Sequence, residues 1–236
     1  MQVEVIAASV EDALQAAAAG ASRLELLGAL SEGGLTPSLG LIRVVRDAVT
    51  IPAMVLVRPR AGDFCYSKGE IAVMHEDIRA CKEAGVGGIV TGVLRADLTI
   101  DVDRMREIVA LARPLQITFH RAFDMTPVAD AALETLIDLG IERVLTSGQA
   151  SDALAGVALI ERLVARADSR IAAMPGVGIT PANAKEIASR TRAQELHGSF
   201  SADTGRGFRA VDPAAVRAVL AELAGLAELP GPITPP

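Results

Sequence analysis

A single (β/α)8 barrel of the triosephosphate isomerase (TIM) type is the fold this sequence predicts. Three observations predict it: eight short aliphatic runs, Ala-rich helical segments between them, and a length of 236 residues that suits one domain around one core. An open doubly wound sheet is the competing arrangement.

The runs and helical patterns alternate strictly along the chain. "VEVIA" from Val3 precedes a helical pattern over Glu11–Ala19, and "RLELL" from Arg23 precedes Leu39–Ala48. "AMVLV" from Ala53 leads to Glu70–Ala84, and "GGIVTGV" from Gly87 to Asp103–Ala112. "LQITFH" from Leu115 leads to Val128–Leu139, and "RVLTS" from Arg143 to Asp152–Ala167. "RIAAM" from Arg170 and "QELH" from Gln194 are followed by Pro181–Ser189 and Pro213–Ala227. Such alternation implies parallel strands joined by helical crossovers. Gly20, Gly85 and Gly140 stand where a helix would end on a left-handed residue. Thr126-Pro127, Thr180-Pro181 and Asp212-Pro213 read as N-caps followed by proline in the first turn, and Thr36 or Ser38 is expected to cap the second helix. The barrel should span residues 1–229, with residues 230–236, "PGPITPP", as a disordered tail.

Composition removes several functions. Half the residues are apolar and 22% are charged, so a large core can form. The net charge is −6 with the basic residues scattered, which gives no footprint for nucleic acid or an anionic membrane. No apolar stretch approaches the roughly 20 residues that cross a bilayer. The lysines are Lys68, Lys82 and Lys185 alone, none on a strand, which argues against Schiff-base chemistry. Two cysteines, Cys65 and Cys81, make no disulfide framework, and no secretory leader is visible, so a cytoplasmic location is expected.

Alternation along the strands decides where charge points. In "LQITFHR", Leu115, Ile117 and Phe119 share one face while Gln116, Thr118 and His120 share the other. With the apolar face toward the helices, His120 points inward at the C-terminal mouth, where barrel active sites lie. The same reading turns Glu4, Glu25, Arg58, Glu195 and His197 inward. Glu4 and Glu195 suit a fixed ion-pair layer, whereas His120 and Arg58 stand at strand ends where function concentrates. His75 lies within a helix and reads as a surface or packing residue.

The loops add candidates. In "RPRAGDFCYS", Arg58 and Arg60 can fork around a carboxylate or phosphate with Asp63 holding one of them, and Tyr66 is nearby. "TSGQ" (146–149), with Ser147 and Gly148, and "PGVGITP" (175–181) offer backbone N–H groups to an anion. His120 can act as an acid or base, with Glu25 or Asp124 orienting it and tuning its pKa toward neutrality, and Arg121 and Asp124 begin the loop over the mouth. Cys81 follows Ile71, Met74 and Ile78 on one helical stripe and is expected in the core, leaving Cys65 open to a ligand. A lone thiolate needs a second sulfur or an imidazole beside it to hold Cu(I).

Taken in order, "EGGLTPSLG", "RPRAGDFCYS", "VTGVL", "FHRAFD" and "VLTSGQ" resemble the CutC family, named for copper homeostasis, from about Val3 to Ser199. The positions matching its pattern are Glu25, Arg58, Arg60, Asp63, Cys65, Tyr66, His120, Arg121, Asp124, Ser147 and His197. The chain departs from it at Leu27, where members often have a cysteine, and at Pro175, where a Gly/Ala-rich turn is usual. The resemblance implies a (β/α)8 barrel, a homodimer or higher homo-oligomer, and a link to copper handling. The resemblance suggests Cu(I) bound through Cys65 with His120 or His197, while the residues themselves suggest an enzyme for a small anionic, phosphorylated or acidic sugar-like metabolite, or a divalent metal held by His120, His197 and Glu25.

Overall fold

Eight parallel strands form the inner wall: β1 (Gln2–Ala7), β2 (Arg23–Leu26), β3 (Ala53–Leu56), β4 (Gly88–Thr91), β5 (Gln116–Phe119), β6 (Arg143–Thr146), β7 (Ala172–Pro175) and β8 (Glu195–Gly198). In the computed structural model, which describes residues 1–226, they are ordered β7-β6-β5-β4-β3-β2-β1-β8. The ends of that series, β7 and β8, lie side by side and bring the sheet round into a (β/α)8 barrel. The outer shell is α1 (Val10–Ala18), α2 (Leu39–Ala48), α3 (Lys68–Ala84), α4 (Val102–Ala112), α5 (Ala129–Asp138), α6 (Val157–Ala167), α7 (Ala184–Thr191) and α8 (Pro213–Leu223), with α8 packing on both α7 and α1. Residues 230–236 and the end of the expected last helix lie outside the described residues.

Outward strand residues such as Val3, Val5, Leu24, Ile89 and Phe119 bury fully against the helices, as alternation predicts. A second, smaller apolar cluster fills one side of the barrel interior, where Leu27, Met54, Leu56 and Val90 meet. The other side carries charge. Register sets Glu4 beside Arg23 on β2, and Arg23 Nε donates to Glu4 while its Nη2 donates to Glu195 at 2.5 Å. Arg143 Nε donates to the same Glu195 carboxylate at 2.6 Å. Each of the four is at most 7% exposed, so the layer closes the barrel floor with two cations balancing two anions.

Helix starts follow local chemistry, with corrections. Ser38 caps α2 by accepting from Leu41 N, whereas Thr36 is taken up by the main chain of Arg58. Asp212 caps α8 ahead of Pro213 as expected, and Gly20, Gly85 and Gly140 all have positive φ. Thr126-Pro127 is not a cap: the Thr126 hydroxyl donates to Phe123 O and closes a 3-10 turn, Arg121–Met125, so α5 starts at Ala129. Thr180-Pro181 precedes α7 by a turn, with Asn183 in the N-cap position. The expected Asp152 start of α6 becomes a separate turn in which Asp152 accepts from Ala155 N. One element went unread: an antiparallel hairpin, β9 (Ser201–Asp203) and β10 (Arg209–Val211), between β8 and α8.

Replacing Arg23 by methionine strips Glu4 and Glu195 of their shared cation. Urea denaturation should show about 3–5 kcal/mol less stability. A loss below about 1 kcal/mol would mean the layer is solvated rather than closed.

Candidate functional site

A cleft of about 770 Å³ opens at the C-terminal mouth. Glu25, His197, His120 and Arg58 line it, together with an apolar wall that includes Leu27, Leu30, Leu56 and Phe64. The hairpin contributes Ser201 and Arg209, and Phe200 precedes it. The loop after β7 adds Val177 to Pro181, although Thr180 N already donates to Asn183 at 2.8 Å.

His120 directly follows β5 and caps the 3-10 turn Arg121–Met125, with its side chain inward. Its Nδ1 accepts from Ala122 N at 3.2 Å, which in the neutral ring puts the proton on Nε2. That Nε2 is buried without a protein partner. The ring packs on Phe64, centroids 4.6 Å apart, and a Cβ on Gly92 would come within 2.7 Å of it, so only glycine leaves it room. Burial first and the Arg58 charge second push the imidazole pKa down to about 3. His120 is therefore a neutral donor at physiological pH. Neither Glu25 nor Asp124 orients it, and its pKa moves away from neutrality, contrary to expectation; a backbone amide does the orienting.

Glu25 and His197 form the floor. His197 Nδ1 stands 2.9 Å from Glu4 Oε1, and Nε2 stands 3.5 Å from Glu25 Oε2. Burial pushes Glu25 up to about 7, with His197 opposing the rise and Glu4 adding to it. For His197, burial and, less strongly, the Arg23 charge act downward, but Glu25 and Glu4 outweigh them and raise the pKa. The cleft thus joins a carboxyl poised near neutrality to an unpaired N–H donor.

Several expected ligand groups are used by the protein itself. Arg58 is buried, yet its Nη1 donates to Glu32 O and Gly34 O at 3.1 and 2.9 Å and its Nη2 to Gly62 O at 2.9 Å. It lies 5.1 Å from the Phe64 centroid and holds the loop walls, contributing charge to the cleft rather than a free fork. Arg60 donates to Glu70 at 2.5 Å and Asp63 at 2.9 Å, and Arg60, Asp63, Cys65 and Tyr66 all fall outside the cleft lining. Burial pushes the Tyr66 phenol up to about 12.

Asp124 fills the "TSGQ" turn itself. Its carboxylate accepts from the Thr146 hydroxyl at 2.5 Å, Ser147 N at 3.0 Å, Ser147 Oγ at 3.1 Å and Gln149 N at 3.2 Å, with Arg121 Nε alongside at 3.0 Å. Gly148, at φ +69, presses on Gly156, so this glycine serves close backbone packing. Asp124, Ser147 and Gly148 thus form an internal anchor instead of an open anion seat. Arg121 keeps a place in the cleft lining, with about half its side chain exposed.

The donors do not fit Cu(I). Cys65 Sγ donates to Arg95 O at 3.1 Å, and burial raises its pKa. Cys81 is sealed in the core, its thiol pushed up to about 12 by burial. Both His197 nitrogens face carboxylates. Among the described residues, no three His, Cys, Asp or Glu side chains converge as a metal-holding group, the expected His120, His197 and Glu25 set included.

Comparison with known proteins places this geometry. A model of the CutC family matches residues 1–202. The chain belongs to the CutC family. The "Copper homeostasis protein cutC homolog" of Homo sapiens is 50% identical over 209 residues, covering 88% of this chain and 77% of the human protein. A CutC family protein of Citrobacter koseri is 48% identical over 200 residues, covering 85% of this chain and 80% of its own. Among solved structures, that named for the copper homeostasis protein CutC of Streptococcus agalactiae superposes with TM-score 0.81 at 30% identity, covering 84% of this chain and 98% of that one. Phosphoribosylanthranilate isomerase of Thermotoga maritima, at 11% identity and TM-score 0.62 over 96% of this chain and all of that one, shares the fold alone. In this CutC-family chain Phe64, Gly92 and Arg209 were missed as site residues. The doublet Thr91-Gly92 at a strand end was the only available signal for one of them.

The His120 environment has a stability signature. The unfolded imidazole takes up a proton below about pH 6.5, whereas the folded one stays neutral until about 3, so its contribution falls as pH drops through that window. Glu25 acts oppositely between its ordinary value of 4.5 and about 7, which makes a difference measurement necessary. From about pH 6.5 to 5, wild type should lose about 1–2 kcal/mol relative to His120→Gln. Parallel pH profiles in denaturant titrations would contradict a buried neutral ring.

Proposed function

We propose that this CutC-family chain is an enzyme that moves a proton on a small anionic, carbonyl-bearing metabolite. Glu25 is its acid and base, and His120 is the donor that polarises the carbonyl. One observation carries this reading: Glu25 and His120, both buried, line a single cleft with the His120 Nε2–H left without a protein partner. A carboxyl with a pKa near 7 suits proton abstraction at neutral pH. A neutral imidazole donates to a developing enolate oxygen without first losing its own proton.

The surroundings narrow the substrate. Arg121 and Arg209 at the cleft and the buried charge of Arg58 favour an anion. The wall of Leu27, Leu30, Leu56 and Phe64 would leave the hydroxyls of a polyhydroxylated sugar unpaired, at a cost of roughly 1–3 kcal/mol each. An acidic carbonyl compound with an apolar flank suits it better. In the reaction the substrate C–H bond breaks, its proton passes to Glu25, and its electron pair stays as an enolate facing His120; return of the proton completes a redox-neutral isomerisation or epimerisation. The Cu(I) site suggested by the relatives' names would rest on Cys65, whose thiol donates to Arg95 O and which lies outside the cleft lining.

The test is proton NMR in heavy water with a panel of acidic and phosphorylated carbonyl compounds, following loss of the C–H signal next to the carbonyl. Glu25→Gln should slow exchange by at least about 10³-fold, and His120→Asn by about 10²–10³-fold, with circular dichroism unchanged. Exchange by the Glu25 variant at the wild-type rate would overturn the reading.

A further inference from the structure

Glu4 does not line the cleft, yet one of its oxygens holds a residue that does. Oε2 accepts from Arg23 Nε, and Oε1 meets His197 Nδ1 at 2.9 Å. Held ionised by Arg23, Glu4 can only accept, so Nδ1 is the protonated nitrogen. His197 Nε2 is then left facing Glu25 Oε2 at 3.5 Å. At that distance the two atoms form an ion-pair contact, and drawing them into a hydrogen bond takes one proton, carried by either side.

The charges facing this trio set the same number. Arg23 and Arg143 balance Glu4 and Glu195 on the floor, His120 is neutral, and Arg58 is wrapped in loop carbonyls across the mouth. With one proton, the Glu25 and His197 pair adds no net charge. With none or with two, a net charge would be buried on residues that are each 5% exposed, costing several kcal/mol.

We infer that Glu4, His197 and Glu25 form a carboxylate–imidazole–carboxylate relay that keeps one mobile proton on the cleft floor. Glu4 is its positioning residue, fixing the His197 tautomer. The relay deepens the proton-transfer reading and rests on it for its purpose. When Glu25 takes the substrate proton, His197 is the imidazolium, the bond's electron pair stays on the substrate, and the resulting enolate balances the charge gained by the pair. The proton returns by the reverse step, and nothing is oxidised or reduced.

The measurement is an NMR titration of protein labelled with 15N-histidine, from about pH 5 to 9, with no substrate present. In wild type, Nδ1 of His197 should stay protonated throughout while Nε2 titrates. Glu4→Gln should lower the midpoint by at least about one unit, a tenfold change in proton affinity, and Glu4→Asp should restore most of it. Once a turned-over compound is found, the pH profile of kcat/KM should shift by the same amount. A wild-type spectrum with Nδ1 unprotonated overturns the relay even if Glu4→Gln fails to fold; so does a folded Glu4→Gln with an unchanged midpoint. The expected titration together with no turnover of any compound would reject the proton-transfer reading alone.

Discussion

The layer of two arginines and two glutamates across the barrel floor is the constraint on which the site depends. A closed parallel barrel offers its interior no bulk water, so every charge turned inward must be balanced there. Arg23 bridges Glu4 and Glu195, and Arg143 completes the set. This neutrality lets Glu4 remain an anion at full burial. An anion at that place then fixes His197, and His197 faces Glu25 beneath the cleft. Burial raises the Glu25 carboxyl toward neutrality, and His197, held from below by Glu4, opposes that rise.

The mouth divides its charges differently. Arg58 and Asp124 look in sequence like groups that grip a ligand, but the loops take up the Asp124 carboxylate and both terminal nitrogens of Arg58, leaving only the Arg58 Nε–H without a partner. A loop crossing the top of a barrel has backbone groups with no strand partner, and a buried guanidinium or carboxylate can satisfy several at once. Arg58 gathers carbonyls from the loops after β2 and β3, and Asp124 gathers N–H groups after β6. Those loops are thereby held rigid. The groups left without a protein hydrogen bond on the residues that line the cleft include the His120 Nε2–H, the Arg58 Nε–H and the Glu25 carboxyl, a set suited to proton transfer and poor in the soft donors copper prefers.

How much of this could be read from the sequence follows from which interactions are local. The strands, the inward set of Glu4, Glu25, His120, Glu195 and His197, and the burial of Cys81 follow from alternation and helical spacing. The partners of Glu4 and Glu195 depend on register between strands, which alternation within one strand does not fix, so Arg23 and Arg143 escaped notice. The use of Arg60 by Glu70, and of Asp124 by residues 146–149, comes from loop folding that no spacing rule encodes. The hairpin at Ser201–Val211 was hidden because its strands are three residues each around a Gly-rich turn, too short for alternation to register.

Membership of the CutC family ties this chain to relatives named for copper homeostasis, while the polar groups lining the cleft carry nitrogen and oxygen rather than sulfur. Neutron diffraction of exchanged crystals near neutral pH would test the proton placement most directly, because it locates each proton. The account requires deuterium on Nε2 and none on Nδ1 of His120, deuterium on Nδ1 of His197, and a single deuterium between His197 and Glu25. A His120 ring deuterated on Nδ1, or a His197 and Glu25 pair holding none or two, would contradict it.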